Sequence, residues 1–263
     1  MYSRTLSSTR SVPLSRRAFQ RPSGRIPREP ERGNAARLLK TKLRLVADRL
    51  ERSLGRPVQP RRLTPPLDVL IATVLSQHTN DRNSRRAYVS LRRTFSTWES
   101  VGLASRQEIA SAIRAGGMAR QKARTILQIL RTVKERHGVY SLSALKRESN
   151  EYVMEQLMGL NGVGVKTAAC VLLFGMGRDL FPVDVHVHRV CRRMGLVPST
   201  ASAEATFEAV SPLVPAGRSY SLHTNLIRFG RSVCRPQDPK CSVCPLYDQC
   251  VFEGRTNAHA ARS

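Results

Sequence analysis

The sequence predicts an all-α fold, and three observations carry that prediction. From Ala35 onward, apolar residues recur at the three- and four-residue spacing of amphipathic helices. No stretch sustains the alternation of a half-buried strand. Proline or glycine punctuates the periodic segments about once per helix length. At 263 residues the chain can bury a substantial core, in one large domain or two small ones.

Residues 1–34 are rich in Arg, Ser and Pro, with no acid before Glu29, and are predicted to lack structure. Two readings stand side by side: a basic tail that adds phosphate contacts, or an organelle transit peptide of the same composition. Leu38, Leu39, Leu43, Leu45, Val46 and Leu50 make an amphipathic first helix, stopped at Gly55 and Pro57. Pro65 and Pro66 open a buried helix over 67–76. Further helices are predicted over 81–93, 106–114, 119–136, 151–159, 165–176, 185–193, 202–213 and 218–231. The best apolar run, 168–176, is about half the ~20 residues a bilayer span requires, so no membrane span is expected.

Charge gives the first functional direction. Lys and Arg total 44 against 19 acids, a net charge of +25, which repels itself and attracts polyanions. Nucleic acid is the expected partner, ahead of an anionic membrane surface. Six cysteines with no apolar signal-peptide core at the N-terminus argue for thiols in a reducing compartment rather than a disulfide scaffold. Cys234, Cys241, Cys244 and Cys250 fall within 17 residues, a set suited to a thiolate-bound metal centre. Zinc is the generic choice, although structural zinc sites more often pair two short Cys-x2-Cys knuckles, and only one occurs here. Cys170 and Cys191 read as core thiols.

Leu160-Asn161-Gly162-Val163-Gly164-Val165-Lys166-Thr167-Ala168 lies between two apolar helical segments. Gly162 and Gly164 permit a tight turn, and amides at the start of the next helix, from Val165, could hold a phosphate oxygen. An ordinary helix–helix turn is the plainer alternative. Eighteen residues after Lys166, Asp184 stands just beyond Pro182, at the predicted start of a helix. Taken alone it is better explained by helix capping than by chemistry.

"LNGVGVKTA" followed by "VDVHVHRV" resembles the endonuclease III branch of the helix–hairpin–helix DNA glycosylase superfamily. "VLSQHTND" at 74–81, "LIRFGRSVC" at 226–234 and the cysteine spacing at the C-terminus are similar to motifs of the same family, so the likeness spans about residues 36–252. The resemblance implies two helical lobes around a DNA-binding cleft, with a helix–hairpin–helix motif and a C-terminal cluster loop. One lobe would run over 60–178; the other would join residues 35–59 to 179–252, leaving 253–263 as a tail.

The resemblance also implies chemistry. Lys166 would be the nucleophile and Asp184 its carboxylate partner in a bifunctional DNA glycosylase and abasic-site lyase acting on oxidised or ring-saturated pyrimidines. A monofunctional uracil or mismatch glycosylase and a non-catalytic iron–sulfur DNA-binding protein are the alternatives. Cys234, Cys241, Cys244 and Cys250 would hold a [4Fe–4S] cluster. Gln77, His78 and Met118 would stand where the family fills the gap left by a flipped nucleotide, although many relatives carry Gln where His78 stands. The implied partner is double-stranded DNA carrying a damaged base or abasic site. The protein is expected to be a monomer, in the cytoplasm or nucleoid if bacterial. Arg120, Lys122 and Arg124 read as a helix face toward phosphate or solvent, and Asp238 stands where the family often carries a base, leaving Arg235 and Lys240 for phosphate.

Overall fold

A computed structural model describes residues 29–255, and among these the regular structure is entirely helical. Eleven α-helices follow one another: α1 (Glu29–Leu54), α2 (Pro66–Ser76), α3 (Asp81–Thr94), α4 (Trp98–Leu103), α5 (Arg106–Ala112), α6 (Ala119–His137), α7 (Asn150–Met158), α8 (Val165–Cys170), α9 (Val185–Arg193), α10 (Ala203–Val210) and α11 (Ser219–Ser232). None is long and apolar enough to cross a membrane. Helix α1 begins at Glu29, inside the segment predicted to lack structure. Pro30 is tolerated in a first turn, where its missing N–H would have no partner. The readings made for residues 1–28 and 256–263 lie outside the described residues.

Local chemistry explains where the helices begin. Asn80, Thr97, Ser105, Ser149, Asp184 and Ser202 each accept a backbone N–H of the following first turn. Proline does the same work by shape at α2, where Pro65 and Pro66 preset the first turn. The six-residue α4 was not anticipated; Trp98 opens it, buried, with Nε1 donating to Asp68 at 3.1 Å and Arg92 stacked 4.6 Å from its ring. The helix predicted over 165–176 is α8 followed by a π-helical turn at Val171–Gly175. A Cβ at Gly175 would lie 2.9 Å from Pro66 Cα, so α2 packs against this turn as closely as backbone allows.

Two buried apolar clusters form. The first runs from Leu67 to Leu172 and includes Leu70, Ile71, Leu91, Ile126, Leu130, Val153 and Val171. The second joins Leu43, Val46 and Leu50 of α1 to residues far along the chain, among them Phe181, Val187, Leu222, Phe229 and Leu246. Polar ties hold α1 there: Arg218 bridges to Asp48 and Glu51, Asn225 Nδ2 donates to Gly55 O at 2.8 Å, and Arg49 pairs with Asp248. Between the clusters, Arg231 of α11 grips the Asp81 carboxylate of α3 with both Nη atoms. Helix α3 carries exposed Arg82, Arg85, Arg86 and Arg93 on one face, none paired with an acid.

Candidate active site

The turn between α7 and α8 is shaped by one glycine rather than two. Gly162 has φ 78°, and a Cβ there would meet Thr125 Cγ2 of α6 at 2.8 Å, so both backbone and packing demand glycine. Gly164 is extended, at φ −98° and ψ 178°, and nothing lies within 4 Å of where its Cβ would be. Its backbone therefore faces open space in front of Val165. Two contacts anchor the turn: Gln77 Nε2 donates to Gly162 O at 3.2 Å, and Asn161 Nδ2 donates to Gln128 Oε1 at 2.5 Å.

Lys166 is partly buried in the first turn of α8, and its amine reaches the Cys170 thiol one turn on. Asp184 is the N-cap of α9: Oδ1 accepts from the amides of His186 at 2.9 Å and Val187 at 2.8 Å. The capping reading of Asp184 is therefore correct. Among the described residues Oδ2 has no hydrogen bond, so one oxygen holds the helix and the other is free for chemistry.

Lys166 and Asp184 act on the same two buried groups. Burial pushes the Cys170 thiol up; the Lys166 charge works against that and the Asp184 charge with it. Burial pushes His223 of α11 down to about 4, with Asp184 opposing and Lys166 assisting. His223 is 2 % exposed, and its Nδ1 lies 2.8 Å from Pro182 O, a carbonyl that can only accept, so this nitrogen carries the ring proton. Phe174 and Phe181 flank the ring. A small recess beside the amine is lined by Val165, Lys166, Val183, Ala203, Glu204 and Phe207. An amine and a carboxylate, each at a helix start, thus lie within electrostatic reach of the same buried thiol and imidazole.

Sequence reasoning took Cys170 as core packing and did not mention His223 or Glu204. Nothing local marks a histidine on α11 as the floor beneath a lysine 57 positions earlier.

His78 and Met118 are both exposed, and both hold left-handed backbone, at φ 51° and 49°. Lys122 corrects its reading as an outward-facing base: it is buried, and Nζ donates to Leu75 O and Gly116 O, each at 2.8 Å. Arg120 and Arg124 are exposed as expected. Arg235 is also corrected, because its guanidinium is engaged by Asp238 at 2.7 Å. His186 and His188 make local contacts, with Arg189 and Ala201 O respectively.

Cys234, Cys241, Cys244 and Cys250 line one small recess, walled by Val233, Pro239, Tyr247 and Phe252, and no disulfide joins them. Burial pushes the Cys244 thiol up to about 11, and the other three thiols add to the shift. Arg193 Nη1 donates to Cys234 Sγ at 3.3 Å while its guanidinium stacks 4.1 Å from the Phe252 ring. Among the described residues no three His, Cys, Asp or Glu side chains converge as a single-ion site requires.

Residues 71–216 match the family described as the HhH-GPD superfamily base excision DNA repair protein. Over 200 residues, 76% of the chain and 89% of its counterpart, the sequence is 36% identical to Endonuclease III of Thermotoga maritima. The fold matches a solved non-covalent Endonuclease III–DNA complex with a TM-score of 0.70 and 27% identity, covering 81% of this chain and 95% of that one. A trapped Endonuclease III–DNA covalent intermediate matches over the same shares with a TM-score of 0.68 and 27% identity.

Proposed function

The chain belongs to the HhH-GPD superfamily of base excision DNA repair proteins, and we propose that within it the protein is a bifunctional DNA glycosylase and abasic-site lyase. The observation that supports this reading is that Lys166 and Asp184 both lie within electrostatic reach of buried Cys170 and His223, with one Asp184 oxygen unengaged. The names of its structural neighbours, a complex with DNA and a covalent intermediate with DNA, support the same direction.

The chemistry follows from the groups. A base stacked in duplex DNA is beyond reach of Lys166, so the nucleotide must first swing out, with His78 and Met118 filling the space beside Gln77. The backbone ahead of Val165, open at Gly164, would hold the phosphate chain. The Lys166 amine then attacks C1′; the glycosidic bond breaks, the departing base keeps the electron pair, and the proton the amine gives up passes to that base. Positive charge develops on the sugar as that bond lengthens, and the Asp184 carboxylate stabilises it. The sugar ring opens to a Schiff base on Lys166. Loss of a C2′ proton then expels the 3′ phosphate and nicks the strand. We take oxidised or ring-saturated pyrimidines as the substrate class.

The four cysteines are the groups that would hold a [4Fe–4S] cluster: they are free thiols lining one recess, and the Arg193 cation donates to one of them. Such a cluster would cross-link the loop through four metal–thiolate bonds. Arg49–Asp248 and Arg193 fasten the same loop to α1 and α9.

Borohydride reduction during incubation with abasic duplex tests the reading. Wild type should yield a covalent protein–DNA adduct and Lys166→Gln none. Base release from a lesion-bearing duplex without any adduct on abasic DNA would indicate a monofunctional glycosylase; binding with neither would indicate a non-catalytic DNA-binding protein.

A further inference from the structure

Lys122 is a buried charge beside the first cluster. It is 4 % exposed, lies in the first turn of α6, and pairs with no acid among the described residues. Its partners are two neutral carbonyls, Leu75 O and Gly116 O, both at 2.8 Å. A buried ammonium held only by carbonyls is an expensive way to pack a helix, since an apolar side chain would fill the space without desolvating a charge.

The two carbonyls share one property. Leu75 lies three residues before His78, and Gly116 lies two residues before Met118. His78 and Met118 are two of the three non-glycine residues with positive φ among those described, and both side chains are exposed. Left-handed backbone is unfavourable for a residue with a Cβ and persists only when its surroundings impose it. Exposed side chains offer no packing reason, so the constraint comes from behind the loops.

We infer that Lys122 is the positioning residue that sets the two loops in one common register, so that His78 and Met118 are presented together. One ammonium fastens both loop roots at a single point. Space there is tight, since a Cβ on Gly116 would come 3.0 Å from Ala87 Cβ and 4.0 Å from Lys122 Nζ. The tie continues to the reacting amine: Gln77 donates to Gly162 O, and the hairpin rests on Thr125 and Gln128, one and two turns after Lys122 on α6. Both loops and the turn before Lys166 therefore hang from one helix. The consequence for catalysis rests on the reading of His78 and Met118 as gap-filling residues; the mechanical tie does not.

Two measurements on the full, cluster-loaded chain separate these levels. Lys122→Met keeps the stem and removes every donor. Backbone hydrogen exchange at 77–79 and 116–118 should rise more than about tenfold in both segments together, with α2 and α6 unchanged. Single-turnover excision of a paired lesion should slow by about tenfold or more. The same substitution should add nothing in a His78→Ala, Met118→Ala background. Exchange rising in one loop alone, or in neither, overturns the inference, as does an equal further loss of activity in that background. Exchange rising in both loops with unchanged excision upholds the tie and instead removes the gap-filling reading. Should Lys122→Met fail to fold, Lys122→Gln retains an N–H donor and is judged by the same exchange pattern, softened but still in both loops.

Discussion

Asp184 carries two loads that substitution can separate. Its Oδ1 accepts two backbone N–H groups at 2.9 and 2.8 Å, and its charge sits at the positive end of α9. Removing the side chain in Asp184→Ala forfeits the cap, about 1 kcal/mol, plus a dipole contribution of about 0.3–1 kcal/mol. A total of about 1–2 kcal/mol corresponds to a fall in Tm of roughly 2–8 °C for a domain of this size. Asp184→Asn keeps a capping oxygen and loses only the charge, so its stability should drop by no more than about 1 kcal/mol. Catalysis should divide differently. Both variants lose the carboxylate that faces the developing sugar cation, and both should release base about 10²–10³-fold more slowly. Thermal unfolding and single-turnover excision under the same buffer read the two loads independently. Should Asp184→Asn excise at the wild-type rate, the carboxylate has no electrostatic role. Should it melt as low as Asp184→Ala, the cap is not what Oδ1 supplies.

The remaining predictions draw on other parts of the molecule. His223, neutral in the fold at a pKa of about 4 against an ordinary 6.5, contributes stability that is complete above pH 6.5 and is lost as pH falls toward 4. The loss amounts to about 3 kcal/mol by that pH, and urea unfolding of His223→Gln should lack this part of the acid slope. Arg193→Gln withdraws a cationic donor from Cys234 Sγ; the midpoint potential of the proposed cluster should fall and its iron should be lost faster to a chelator, whereas unchanged values would deny Arg193 any influence there. Changing Arg82, Arg85, Arg86 and Arg93 together to Gln should flatten the log–log dependence of duplex affinity on salt by up to about 3.6; an unaltered slope would mean the α3 face does not meet phosphate.

Legibility in the sequence followed the range of the forces concerned. Helices α2, α3, α6, α9 and α11 were readable because capping residues and apolar stripes are local, and each helix lies within a residue or two of its predicted span. The π turn at Val171–Gly175 was not, because it answers to Pro66 packing a hundred residues away. The family motifs directed attention to Lys166, Asp184 and the four cysteines, and the structure adds how the first two are surrounded. His223 escaped notice because its meaning comes from Pro182, Phe174 and Asp184, all remote in sequence. Lys122 was legible and misread. It stands four residues before Ile126 and seven before Ile129, on the apolar stripe, yet its charge suggested the solvent face.

The second cluster takes α1 from one end of the described chain and residues 181–246 from the other. During synthesis the first cluster can close once residue 172 has emerged, while Leu43, Val46 and Leu50 remain uncovered until α11 follows. Lys166 is therefore anchored on the first cluster before Val183, Phe207 and His223, which complete its surroundings, can fold against it. A ribosome-bound chain halted between those points holds the amine without the carboxylate. A nascent chain of this kind shows a sticky apolar helix to chaperones rather than a nick-making surface to the genome.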